Sequence, residues 1–65
     1  MKSLRRAYIV QRRDAGYRGI EFLLTFYEWM KIWMDSGHLH DRGRQRGQYV
    51  MARYGDKGPY AVGNV

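Results

Sequence analysis

Thr25-Phe26-Tyr27-Glu28 sets the frame for the whole chain, because it opens a helix too apolar to be left on a surface. The threonine oxygen can accept from the backbone N–H of Glu28, and the carboxylate can return to the N–H of Thr25, the two halves of a capping box. Leu24 and Trp29 stand at the positions of a hydrophobic staple across that start. The spacing predicts a helix over 25–36, with Gly37 as the residue past its end. Around it, Phe26, Trp29, Met30, Ile32, Trp33 and Met34 leave only Glu28, Lys31 and Asp35 as a polar stripe. A helix with so wide an apolar arc must be covered on more than one side.

Little material is available to cover it. The chain has 65 residues, enough for a single domain over 1–65 and no second core. A domain of this size buries only about 60% of the surface its unfolded chain exposes, so its stability is marginal. There is no cysteine, which removes disulfides and Cys-rich zinc sites as staples. One helix and its neighbours can fail to cover both tryptophans, so a homodimer or a protein partner over Trp29 and Trp33 remains open. No apolar run approaches the ~18 residues of a membrane span. Ala7-Tyr8-Ile9-Val10 is too short for a signal-peptide core, and Gln11-Arg12-Arg13 interrupts it. The expectation is a soluble cytoplasmic protein with no membrane contact.

Ser3 to Ala15 reads as a first helix, with Ser3 as N-cap and Gly16 just past its end. Leu4, Ala7, Tyr8, Gln11 and Ala15 share one side, while Arg5 with Arg12 and Arg6 with Arg13 form a basic strip around Ile9. Residues 16–19 read as a turn and 20–23 as a short extended piece. Residues 38–47 read as a basic loop, with arginine at every second position from Arg42 to Arg46. Residues 48–65 read as a β-hairpin. Gln48 to Tyr54 alternates Tyr49, Met51 and Arg53 against Val50, Ala52 and Tyr54. Gly55-Asp56-Lys57-Gly58 supplies the turn, and Pro59 opens a second strand at the sheet edge. The expected fold is α+β, with two short helices followed by a C-terminal β-hairpin.

Charge is distributed unevenly along this plan. Residues 1–18 carry a net +5, residues 19–41 a net −3 and residues 42–65 a net +4. Eleven of the twelve cations therefore lie at the two ends, and nine of the twelve are arginine. The guanidinium forks onto phosphate and stacks on bases, so this bias points to nucleic acid, although a solvated basic surface has the same composition. Candidate nucleic-acid contacts are Arg42, Arg44, Arg46, Arg53 and Lys57, extended by Arg5, Arg12 and Arg13. On a strand, Tyr49 and Tyr54 fall on opposite faces, so one of them is left either to stack on an unpaired base or to pair across the hairpin with Tyr60.

No constellation for catalysis is present. Ser3, Ser36 and Thr25 are explained as helix-terminal residues, and the glycines fit neither a P-loop nor a dinucleotide fingerprint. His38, His40 and Asp41 are the one cluster of metal-ligand side chains. With no distant third or fourth ligand they read as loop residues, His38 beside the C-terminal end of the preceding helix, and no metal or cofactor is expected.

Gly19-Ile20, the helix carrying Trp29, and Gly55-Asp56-Lys57-Gly58-Pro59-Tyr60 followed by Gly63-Asn64 resemble the HNH-type (ββα-metal) endonuclease-like proteins of phages and mobile elements. The match at the C-terminal end is a Gly-x-Tyr-x-x-x-Asn pattern through Gly58, Tyr60 and Asn64. The resemblance implies a ββα-metal hairpin with DNA and a divalent metal as ligands. The family's catalytic histidine or aspartate falls near Ala52, which can neither take a proton nor bind metal, and its metal-binding helix has no counterpart in this chain. The resemblance therefore implies a reduced or degenerate member that binds without cutting. The expected function is a small, basic, non-catalytic nucleic-acid-binding protein, with DNA ahead of RNA. The alternative is a protein-interaction module acting through the Trp-rich helix, such as a phage-encoded inhibitor or a subunit of a larger complex.

Overall fold

The computed structural model describes residues 3–43 and 45–65. Among them are two α-helices, α1 (Leu4–Tyr17) and α2 (Phe26–Ser36), two 3-10 turns at Leu39–Asp41 and Tyr54–Asp56, and no β-strand. The architecture is helical, which corrects the α+β expectation.

Ser3 caps α1, its Oγ accepting from the backbone N–H of Arg6 at 3.1 Å. The helix then runs straight through Gly16 and ends later than its sequence suggested. Gly19 N–H donates to Gly16 O at 3.1 Å and Ile20 N–H donates to Ala15 O at 2.9 Å. These are the paired bonds of a Schellman motif, which needs a left-handed residue at the turn, and Gly19 supplies it at φ 70. Gly16, one turn earlier, has no such demand made on it. Ile20 and Ala15 then meet in the core, the apolar contact that usually accompanies this ending.

α2 begins with the complete capping box. Glu28 N–H donates to Thr25 Oγ1 at 3.2 Å, and Thr25 N–H donates to Glu28 Oε1 at 2.9 Å. It ends at Gly37, left-handed at φ 77, whose N–H donates to Met34 O. Leu24 and Trp29, the staple pair, are both buried.

The core is aromatic. Tyr8, Ala15, Leu24, Trp29, Trp33 and Tyr60 are its buried members, and Trp29 is only 1% exposed. The Tyr8 ring makes edge-on contacts with Phe22, Phe26 and Trp29 at centroid distances of 5.5, 5.6 and 5.9 Å, the geometry that ring quadrupoles favour. Trp29 donates its indole N–H to Gln11 Oε1 at 2.8 Å, so the one polar residue on the buried side of α1 satisfies the largest buried side chain of α2. Trp33 is 6% exposed. Both tryptophans are therefore covered within one chain, and the case for a second copy or a partner laid over them falls away.

The hairpin is replaced by two isolated parallel bridges, Phe22 with Tyr60 and Arg42 with Tyr49. The turn chemistry itself is present: Gly55 and Asp56 are successive left-handed residues at φ 63 and φ 53, and Lys57 N–H closes onto Tyr54 O. This is the pattern of a hairpin turn, but its two arms find other partners. Gly58, at φ 77, turns the chain again before the second arm can align with the first. Tyr60 N–H then donates to Glu21 O at 2.9 Å, and Leu23 N–H donates to Tyr60 O at 2.8 Å. The first arm is taken up from its other end, where Tyr49 N–H donates to Asp41 O at 2.8 Å and Gly43 N–H donates to Tyr49 O at 3.0 Å. Burying Tyr60 against Phe22, with ring centroids 5.6 Å apart, draws the C-terminal segment to residues 21–23 and away from residues 48–54.

Asn64 fastens that segment. Its Nδ2 donates to Lys57 O at 2.9 Å and to Pro59 O at 2.7 Å, while its own carbonyl accepts from Tyr54 N–H at 3.1 Å. The Gly58, Tyr60 and Asn64 positions thus build a closed loop.

Candidate nucleic-acid interface

Two rows of α1, spaced four residues apart, form one wall of an open cleft. Arg6, Val10, Asp14 and Arg18 make one row, and Ala7, Gln11 and Ala15 the other. The opposite wall comes from Arg42, Gly43 and Tyr49 to Met51, with Trp29, Trp33 and Tyr60 also lining the cleft. Its volume is about 570 Å³, within the range of pockets that hold small organic ligands.

The cleft is cationic. Arg6, Arg18 and Arg42 stand against one carboxylate, Asp14. Among the described residues the close approaches of basic to acidic side chains are Lys31 with Asp35 and His38 with Asp41, so none of the three cleft arginines has a carboxylate partner. Arg42 is held in place: its Nε–H donates to Leu39 O at 2.7 Å, and its guanidinium lies 5.5 Å from the Trp29 ring centroid. That leaves its two terminal amino groups without a protein acceptor among the described residues. Trp33 Nε1 is buried without an acceptor among those residues, an unpaired donor beside the same space.

Tyr49 is the aromatic with an accessible face at this site. It is 47% exposed, and the His38 ring stacks on it with centroids 3.6 Å apart and planes 19° from parallel. Tyr49 lines both the large cleft and a smaller apolar hollow of about 200 Å³, whereas His38 lines only the smaller one. His38 therefore covers one face of the ring, and Tyr49 is the residue of the pair that also lines the cleft.

The remaining residues singled out in the sequence are dispersed. Arg5 and Arg12 lie over the Phe26 and Tyr8 rings at 5.2 and 5.5 Å, on the part of α1 that faces the aromatic cluster. Arg13, Arg46 and Lys57 are exposed. Arg53 is engaged in the fold: Nη1 donates to Gly58 O at 2.9 Å, and the guanidinium lies 5.5 Å from the Tyr60 ring centroid. Tyr54 is exposed on its 3-10 turn, remote from any strand face. Arg44 lies outside the described residues.

His38 Nδ1 and Asp41 Oδ2 are 3.6 Å apart, too far for a hydrogen bond, and His40 is exposed. Among the described residues no group of three or more His, Cys, Asp or Glu is placed to hold a metal ion. No helix among the described residues is long and apolar enough to cross a membrane. Comparison with protein-family models, curated proteins and solved structures found no match to this chain.

Sequence reasoning missed Arg6 and Arg18 as members of one site. Their signal was the four-residue spacing of Arg6, Val10, Asp14 and Arg18, which places all four along one ridge of a helix. That ridge becomes visible only once α1 is known to continue to Tyr17, which brings Arg18 to its cap.

Proposed function

We propose that this protein binds nucleic acid through the arginine-lined cleft between α1 and the 42–51 segment. The observation that carries the reading is that Arg6, Arg18 and Arg42 line one open cleft without carboxylate partners among the described residues. The three guanidiniums line the cleft with one carboxylate among them, and phosphate oxygens would accept forked hydrogen bonds from them. Arg5, Arg12, Arg13 and Arg46 widen the positive field around the cleft and would attract a polyanion before docking. The reading rests on charge and cleft geometry rather than on the HNH resemblance, whose hairpin this chain does not form. No cleavage step belongs to it.

Salt titration of the affinity is the test. Each phosphate-bound cation contributes about −0.9 to the log–log slope on duplex DNA and about −0.7 on a single strand. Three cleft arginines alone set the expected slope near −2 to −3. Absence of measurable binding to any nucleic acid at about 50 mM salt sinks the reading.

A further inference from the structure

The cleft has a feature that charge alone does not require. Tyr49 is pinned from one side by His38 at a stacking distance of 3.6 Å, is half-exposed, and lines the same cleft as Arg6, Arg18 and Arg42. A tyrosine held this way is a platform whose orientation is set before any ligand arrives. We infer that the cleft takes an unpaired nucleotide of a single strand, its base extending the His38–Tyr49 stack and its phosphates on Arg6, Arg18 and Arg42. This inference rests on the nucleic-acid reading and narrows it from any nucleic acid to a strand with an unpaired base.

Three observations favour a single strand over a duplex. Tyr49 lines a concave cleft together with the three arginines, and a paired base buried in a duplex cannot stack on a ring in such a cleft without being extruded. The helix that would have to enter a major groove, α1, has Arg5 and Arg12 drawn over the rings of Phe26 and Tyr8 rather than extended along one free face. Arg6, with Arg18 at the helix cap, lines the cleft wall, while Arg13 is exposed. Stacking a base on an aromatic ring while arginines follow the backbone is the general chemistry of single-strand recognition, and it tolerates any sequence because every base has a π-face.

The test compares a labelled DNA strand of about ten nucleotides, the same strand as RNA, and the DNA duplex of that sequence, each by fluorescence anisotropy at about 50 mM salt. The expected result is that at least one single strand binds about tenfold or more tighter than the duplex and changes the Trp29 and Trp33 emission. Tyr49→Ala should weaken that strand by about tenfold, and Tyr49→Phe should restore it, since the ring and not the hydroxyl makes the stack. Tyr49 is half-exposed in a loop, and a circular-dichroism melt of each variant separates lost stacking from lost fold. The double variant Arg6→Gln/Arg18→Gln should flatten the salt slope, whereas Lys57→Gln should leave it nearly unchanged. Duplex bound as tightly as the strands, or a strand affinity indifferent to Tyr49→Ala, overturns the platform while leaving nucleic-acid binding in place. Failure of all three probes to bind overturns the nucleic-acid reading and this inference with it.

Discussion

The indole N–H of Trp29 and the side-chain oxygen of Gln11 meet at 2.8 Å, and this bond ties α2 to α1 across the aromatic core. Trp29 is 1% exposed, and Gln11 is the acceptor its indole N–H finds in the folded chain. Gln11→Leu is expected to destabilise the fold by about 1–3 kcal/mol, the cost of an unsatisfied buried donor. In a domain of this size each kcal/mol lowers Tm by about 4–8 °C. An unchanged melting temperature would show that the bond contributes nothing.

The capping box at the start of α2 makes a second prediction. Thr25→Ala removes the acceptor for Glu28 N–H and should cost about 1 kcal/mol in chemical denaturation. Glu28→Ala removes the return bond to Thr25 N–H. Because the two bonds share one turn, the double variant should cost less than the two single losses added together, and strict additivity would argue against a reciprocal box.

Two glycines of α1 and its cap should respond with opposite signs. Gly16 is helical and exposed, and a Cβ there meets no atom within 4 Å, so Gly16→Ala is expected to stabilise by about 0.5–1 kcal/mol. Gly19 also has room for a Cβ, but its φ of 70 is left-handed, so Gly19→Ala is expected to destabilise by about 1–2 kcal/mol. Equal effects at the two positions would place the end of α1 somewhere other than Arg18.

Asn64 closes the C-terminal loop with two donated bonds. Asn64→Asp sets a carboxylate against the carbonyls of Lys57 and Pro59, both of which need a donor. The expected loss is about 1–3 kcal/mol. Hydrogen exchange at the Tyr54 amide, which donates to Asn64 O, should accelerate more than exchange inside α2. Uniform acceleration across the chain would mean that the loop does not open separately.

The parts of the fold legible in the sequence are those whose partners lie within one turn. Thr25 and Glu28 are three residues apart, and their bonds need only a helix start, so the capping box follows from residue type and spacing. The wide apolar arc likewise required burial of Trp29 and Trp33, although not by which neighbours. The end of α1 was less legible because two glycines competed for it. The choice of Gly19 over Gly16 depended on Ile20 reaching back to Ala15 and joining the core. Of the candidate site, the arginines and Tyr49 were visible as chemistry. Their grouping was not, since Arg42 and Tyr49 come to line one cleft with Arg6 and Arg18 only in the folded chain.

The hairpin marks the boundary between local and tertiary information most clearly. Alternation over 48–54 and a Gly55-Asp56 turn are local signals for two paired strands, and the turn does form. Backbone groups can be satisfied by any suitable partner, however, and the choice between partners is decided by which pairing buries more apolar surface. Pairing Tyr60 with residues 21–23 buries its ring against Phe22, while the open arm at Tyr49 is taken up by Asp41 and Gly43. By itself the sequence determined the caps, the aromatic content of the core and the supply of arginine at both ends. Only the tertiary structure decided that the C-terminal third would wrap the two helices, and so bring three arginines and a stacked tyrosine around one cleft.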